Sequence, residues 1–357
     1  MKFIIFAGGV GTRLWPLSRI NSPKQFDAIW DNKSTLRLAV ERLVSSFSRS
    51  DIYIQTVSDY EPLVKTQIPE LPVKNIFIEP ARRNVGPAVC LAMSRLQKIF
   101  KQEPIAILWA DHLMKNPADF IKNLKIGGEL IKKDPNRFVF LAEQPRFANN
   151  NLGWIHVGKK AGQISGVDYF RFLGWQYRPS SKECARMFNS GEYFWNSGYF
   201  VSSIDFILRE YQRLSPDIFS IVEKTISAKS GRQAFEIYSQ APKISFDDCL
   251  IKKIALDSAV ILKTNMGWSD PGTLYALKEA LQKDGHENVT SGKVFNFNTV
   301  DSFVYNLEHK KLLTTVGLKG MVVVNTKDAI IVVPKDKVKD ITELVAALKR
   351  DGYKEYL

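Results

Sequence analysis

The sequence predicts an α/β protein: a doubly wound, mostly parallel mixed sheet in residues 1–285, then a small β-rich domain in 286–357 that ends in a helix. Three observations predict it. Short runs that are apolar at every position recur through the first 140 residues, as suits strands covered on both faces. Segments with helical spacing separate them, and strand–helix alternation favours parallel crossovers. After a polar, glycine-bearing stretch at 282–292 the chain turns to short β-rich runs divided by turn residues.

The first strand is the run at 2–7, which meets Gly8 and Gly9. Runs at 52–57, 76–78, 105–109 and 138–141 continue the series. A helix is predicted at 36–47, where Leu36, Ala39, Val40, Leu43 and Val44 share a face. Similar patterns occupy 88–100 and 118–132. From 150 to 285 strands are predicted at 154–157, 169–175 and 193–202, and helices at 181–189, 204–214 and 274–282. These elements extend the first sheet into one large domain. Five β runs follow at 294–297, 302–305, 312–316, 321–324 and 329–333, read as a coiled or solenoid-like unit without a nameable repeat. A last helix is predicted at 341–350.

Composition narrows the function. No run approaches the roughly 18–20 apolar residues that span a bilayer, and the apolar run at 3–7 is too short for a signal-peptide core. Cys90, Cys184 and Cys249 are widely spaced and odd in number, so they read as free thiols of a cytoplasmic protein. The four histidines lack zinc-site spacing. A net charge of +13 favours anionic partners. It is spread over the chain with no basic stripe interleaved with aromatics, which argues against nucleic acid.

The opening turn carries the chemistry. Gly8, Gly9 and Gly11 allow positive φ and close approach of a ligand, and turn their N–H groups into a concavity suited to an anion. Arg13 adds a planar fork for phosphate oxygens, and Lys24 a mobile point charge. The spacing fits neither a dinucleotide fingerprint nor a P-loop. Asp111 ends an apolar strand, where open α/β sheets meet their ligands; a helix N-cap is the alternative. Asp270 sits in a turn after the apolar run 259–263.

"AGGVGTRLWPLSR" at 7–19, followed by "PKQF" at 23–26, resembles the signature of sugar-1-phosphate nucleotidyltransferases. Its Leu-Trp-Pro-Leu-Ser form is that of the mannose-1-phosphate guanylyltransferase branch. "IEPARRNVGPAV" at 78–89 is similar to a second motif of that branch, and "WADH", "WNSGYF" and "WSDPG" extend the likeness over nearly the whole chain. The resemblance implies a Rossmann-like nucleotidyltransferase domain and a left-handed β-helix-like C-terminal domain. It implies in-line, Mg²⁺-assisted transfer from GTP to a sugar 1-phosphate, with pyrophosphate leaving. Arg13, Lys24 and Asp111 would be catalytic, and Asp111 and Asp270 would hold the metal. Ala7, Gly8, Gly9, Gly11, Thr12, Arg13, Glu79, Asn84 and Gly86 would bind the nucleotide, and Gly153, Arg178, Asn196 and Asp247 the sugar phosphate. Asn84 also reads as a helix cap, Gly153 as a strand bulge, and Asn196 as a turn residue.

The sugar-side motifs depart from the branch. "NNLGWI" at 150–155 loses a glycine and a tyrosine. Tyr177 and Arg178 replace a glutamate and a lysine, and Lys252 stands where the branch has glutamate. These departures leave another sugar 1-phosphate, such as a heptose, or a non-catalytic GDP-sugar-binding regulator as alternatives to mannose 1-phosphate. The resemblance implies GTP and a sugar phosphate as partners, and the sequence predicts no nucleic acid and no membrane. A homo-oligomer is compatible with the sequence.

Overall fold

A computed structural model describes residues 1–9, 11–19, 23–27, 33–100, 102–282 and 286–357. The chain forms two compact units, one of 1–8, 39–110 and 114–268, the other of 9–38, 111–113 and 269–357.

Among the described residues the main sheet of the first unit has nine strands: β1 Lys2–Phe6, β2 Ile52–Val57, β3 Ile76–Glu79, β4 Pro104–Trp109, β5 Phe138–Glu143, β6 Gly153–Ile164, β7 Val167–Tyr177, β8 Tyr193–Ser203 and β9 Ala259–Thr264. They form one sheet in the order β3-β2-β1-β4-β8-β5-β9-β7-β6. β8 and β7 run against the other seven, so the sheet is mixed and mostly parallel, as expected. The chain leaves β1 to build β2 and β3 on one side, then returns as β4 on the other. That reversal is the topological switch at which such sheets bind ligands.

The predicted helices appear as α1 Thr35–Val44, α3 Val85–Gln97, α4 Pro117–Lys133, α5 Ser181–Ser190 and α6 Ile204–Leu214. Four more were not foreseen: α2 Glu61–Gln67, α7 Pro216–Ile226, α8 Gly231–Tyr238 and α9 Phe246–Cys249. Three of them are under ten residues, too short for periodicity to declare them. β6 and β7 are longer than predicted because their outer halves are a hairpin ending at Ser165–Gly166, with polar residues that hide the strand signal. Val89, Leu91, Phe138, Phe140, Phe200 and Tyr211 belong to a single buried cluster.

The second unit contains α10 Leu274–Leu281, α11 Ile341–Arg350 and six strands: β10 Val289–Ser291, β11 Val294–Phe297, β12 Phe303–Asn306, β13 Leu313–Val316, β14 Met321–Asn325 and β15 Ile330–Pro334. β10, β12 and β14 pair in parallel, as do β11 and β13; β15 closes antiparallel on β14. Phe303 faces Val322 and Val294 faces Leu313, a step of 19 residues in both ladders. This is a parallel β-helix. The repeat is written in Asn306 and Asn325: the Asn325 amide donates to Asn306 Oδ1 at 2.8 Å, and the Asn306 amide donates to the carbonyls of Lys293 and Lys311. Within the polar stretch at 282–292, residues 283–285 lie outside the described residues.

Candidate active site

In the second unit the opening turn, Asp111 and Asp270 converge. Gly11 has φ +64°, and a Cβ there would lie 3.2 Å from Lys24 Cγ, so only glycine suits the position. Its carbonyl accepts from the Leu14 N–H at 3.0 Å and from the Ser18 hydroxyl, closing the 3-10 turn Thr12–Leu14. Gly8 and Gly9 have ordinary φ, and a Cβ on Gly9 would meet nothing within 4 Å. A Cβ on Gly8 would be 4.0 Å from Val57 Cγ1, so packing requires neither glycine. The Gly9 carbonyl accepts from Gln25 Nε2 at 2.9 Å. In the first unit the Ala7 N–H donates to the Gln55 carbonyl, so it belongs to the sheet.

Lys24 is buried, 8% exposed. Its Nζ stands 2.6 Å from Asp111 Oδ2 and 3.7 Å from Asp270 Oδ1. Burial alone lowers its pKa, but the two carboxylates outweigh burial and raise it. For Asp111, burial pushes upward, and the Lys24 ammonium with His112 overcomes it, leaving a pKa of about 2. His112 Nε2 lies 3.8 Å from Asp111 Oδ1. Asp111 caps no helix; Asn116 caps α4. A Cβ at Gly272 would stand 3.4 Å from both Arg13 Nη2 and Asp270 Oδ1, so Arg13 joins the group. Two carboxylate oxygens aimed at one positive centre form a hard-oxygen donor set, which suits a divalent cation that takes its other ligands from phosphate and water. Among the described residues no three metal-ligating side chains cluster.

The first unit holds the other predicted residues. Asn84 caps α3, with φ +67° and its Oδ1 accepting from the Val85 N–H at 2.7 Å. The Gly86 N–H donates to the Ile244 carbonyl, and its own carbonyl accepts from Tyr211. Gly86 therefore serves close packing, and its backbone polar groups are engaged within the protein. Glu79 is buried; Oε1 accepts from Tyr238 at 2.9 Å and from the Arg83 N–H at 3.4 Å. Burial outweighs these bonds and raises its pKa to about 7.

A Cβ on Gly153 would lie 3.0 Å from the Trp175 ring and 3.4 Å from Asn196 Cβ, so Gly153 adjoins both residues. Asn196 Oδ1 accepts from the Gly198 N–H at 3.0 Å, the turn role considered for it. The Trp109 indole N–H donates to the Gly198 carbonyl at 2.8 Å. Arg178 is exposed, with φ +48°; its N–H donates to the Leu152 carbonyl and its guanidinium lies over Tyr177. Burial and neighbouring Asp248 raise the Asp247 pKa to about 6. Lys252 pairs with Asp248 and lies 5.8 Å from the Trp175 ring centre.

Glu143 and Tyr238 were missed in the sequence. Glu143 is fully buried and accepts from Thr264 Oγ1 and the N–H groups of Met266 and Trp268 at 2.9–3.0 Å, which ties down residues 264–268. A charged residue ending the apolar run 138–142 was its only signal.

The family description "Nucleotidyl transferase" matches residues 2–287, four-fifths of the chain. The chain belongs to the nucleotidyl transferase family. A second description, the MannoseP isomerase/GMP-like beta-helix domain, matches residues 292–348 of this nucleotidyltransferase. It is 30% identical to mannose-1-phosphate guanylyltransferases of Salmonella muenchen and Escherichia coli K12, over 99% of its length and 74% of theirs. A solved structure described as mannose-1-phosphate geranyltransferase from Thermus thermophilus superposes with a TM-score of 0.86 at 27% identity, covering 98% of this chain and 99% of that one. Nucleotidyltransferases of this family generally use a divalent cation, and act on a nucleotide and a sugar phosphate. No helix among the described residues is long and apolar enough to cross a membrane.

Proposed function

We propose that this enzyme transfers the guanylyl group of GTP to α-D-mannose 1-phosphate, giving GDP-mannose and pyrophosphate. The observation that carries the reading is the Lys24–Asp111–Asp270 cluster, in a chain similar along its whole length to mannose-1-phosphate guanylyltransferases. A phosphate oxygen of the sugar attacks the α-phosphorus of GTP. The bond from that phosphorus to the bridging oxygen of the β-phosphate breaks, and pyrophosphate departs with the electron pair. Catalysis then consists of alignment and charge neutralisation.

Lys24 offsets the charge gathering on the α-phosphate, and Arg13 holds the departing pyrophosphate. The backbone at Gly8, Gly9, Gly11 and Thr12, continuing from Ala7, receives the triphosphate. Asp111 and Asp270 would hold Mg²⁺, which when bound supplies positive charge to phosphate oxygens. Glu79 accepts from the N1–H and 2-amino edge of guanine, Asn84 orders the adjoining turn, and Gly86 lets that turn pack closely. Gly153, Arg178, Asn196 and Asp247 receive the sugar phosphate. Residues 1–285 form the catalytic domain and 286–357 the β-helix. The reading places the enzyme in the cytoplasm, in keeping with three free, buried cysteines.

The departures at Tyr177, Arg178 and Lys252 favour a second reading: the same transfer to another sugar 1-phosphate, such as a heptose. The deciding experiment supplies GTP and Mg²⁺ with a panel of sugar 1-phosphates and measures pyrophosphate, with ATP as the nucleotide control. Turnover with mannose 1-phosphate supports the first reading and turnover only with another sugar the second. Binding of GDP-sugars without turnover overturns both.

A further inference from the structure

Arg19 is engaged within the protein. Its guanidinium donates to the Tyr356 carbonyl, pairs with Asp328 Oδ1 at 2.7 Å, and reaches Thr326 Oγ1 at 3.4 Å. Its Nε donates to the Pro16 carbonyl at 3.2 Å. The Trp15 indole N–H donates to the same Tyr356 carbonyl at 2.7 Å, and the guanidinium lies over the Trp15 ring. All of these residues belong to the second unit. Thr326 and Asp328 stand on the turn joining β14 to β15, and Tyr356 on a 3-10 turn after α11.

We propose that Arg19 is a positioning residue: by clasping Asp328 and the Tyr356 carbonyl, it fastens the 11–19 turn to the β-helix and so sets where Arg13 and Lys24 stand. The proposal rests on the nucleotidyl-transfer reading above. The turn is closed internally by the bonds to the Gly11 carbonyl, and Lys24 packs against Gly11. Arg13, Gly11 and Lys24 therefore shift as one piece if the anchor shifts. In-line transfer is sensitive to such shifts, since a displacement of about 1 Å can cost about a hundredfold in rate. The opposite arm of the cluster is fastened too. On α10, the helix that follows Asp270, fully buried Lys278 pairs with Asp301 of the β-helix at 2.6 Å. The β-helix thus acts as the chassis of the phosphate-handling cluster.

The test compares Arg19→Ala, Arg19→Lys, Asp328→Ala and the double variant R19A/D328A in the full chain. It uses kcat and KM for both substrates, melting temperature, and amide hydrogen exchange over 11–19 without substrate. Arg19→Ala is expected to lower kcat about tenfold or more, leave KM for the sugar phosphate within about twofold, and speed exchange across the turn. Arg19→Lys recovers part of the rate through its pairing with Asp328. Asp328→Ala shifts kcat and exchange the same way by less, and the double variant is no worse than Arg19→Ala. Unchanged kcat and exchange in Arg19→Ala would overturn the proposal. So would additive losses in the double variant, or a rise in KM for GTP alone with exchange unaltered, which would mark a direct nucleotide contact. Should Arg19→Ala fail to fold, Asp328→Ala decides by the same readouts. If the wild-type protein turns over no sugar 1-phosphate, the functional reading has failed, and the exchange comparison still decides the clasp.

Discussion

The Lys24 ammonium lies 2.6 Å from the Asp111 carboxylate, and neither charge is fully hydrated. Asp111→Asn removes one of the two carboxylates that neutralise Lys24 and half of the metal-holding pair. Turnover is expected to fall about a hundredfold or more, measured as pyrophosphate release, while circular dichroism shows a folded protein. The pH dependence has a definite sign. The pKa of Asp111 is held at about 2, against 3.8 for a free aspartate. Its stabilisation is present above about pH 4 and is lost as pH falls towards 2. The loss amounts to at most about 2 kcal/mol, and less in practice because 32% of the side chain meets solvent. Denaturation curves of Asp111→Asn should lack this acid limb.

Lys24→Met makes the complementary case. Without the ammonium, Asp111 and Asp270 lose the cation that pairs with both carboxylates. Like charges so placed repel, and a divalent cation relieves them. The variant should lose activity and gain more in melting temperature from Mg²⁺ than the wild-type protein does. Equal Mg²⁺ responses would show that Lys24 and the metal do not share the same carboxylates.

How much of this was legible in the sequence depended on sequence distance. Strands β1 to β5 and β9 were visible because each is built on a contiguous apolar run, and Lys24, Asp111 and Asp270 because each sits in a recognisable local motif. Glu79 had a motif, but its partner Tyr238 lies 159 residues away on α8, a helix too short to announce itself. Trp15 meets Tyr356 across 341 residues, and nothing local marks either end of that bond. The β-helix repeat was written in the 19-residue spacing of Asn306 and Asn325, yet two coils are too few for a period to stand out from chance.

Glycine substitutions separate ligand access from packing. A Cβ at Gly9 meets nothing within 4 Å, so Gly9→Ala should fold with nearly unchanged stability and raise KM for GTP by obstructing the phosphates. A Cβ at Gly86 would lie 2.8 Å from the Ile244 carbonyl and 2.9 Å from Cys249 Sγ. Since the nearer neighbour is backbone, Gly86→Ala should cost about 1–3 kcal/mol of stability, read by urea denaturation. A destabilised Gly9→Ala would mean that the loop is set by packing.

Arg178 holds φ +48° while presenting an exposed guanidinium. A non-glycine residue there carries about 1 kcal/mol of backbone strain, which is tolerated if the side chain has work to do. Arg178→Ala should therefore raise KM for the sugar 1-phosphate and leave KM for GTP unchanged. Arg178→Gly should show the same kinetic loss with a gain in melting temperature. The reverse kinetic split would put Arg178 on the nucleotide.

Glu79 offers the sharpest pH test. Burial raises its pKa to about 7, from 4.5 in a free glutamate, against the opposing pull of Tyr238 and the Arg83 N–H. The folded protein therefore holds the proton more tightly than the unfolded chain, and stability must fall as pH rises between about 4.5 and 7. At 1.36 kcal/mol per pH unit, ionising this side chain inside the fold costs about 3 kcal/mol. Glu79→Gln keeps an acceptor for Tyr238 and Arg83 and never ionises. It should flatten the stability profile over that range and raise the denaturation midpoint above about pH 7. If Glu79 also receives the N1–H and 2-amino group of guanine, the same variant will bind GTP more weakly. Wild-type Glu79 will then release its proton to the buffer as GTP binds near neutral pH, which calorimetry in buffers of different ionisation enthalpy detects. A flat wild-type stability profile between about pH 4.5 and 7 would sink the assignment of a protonated Glu79.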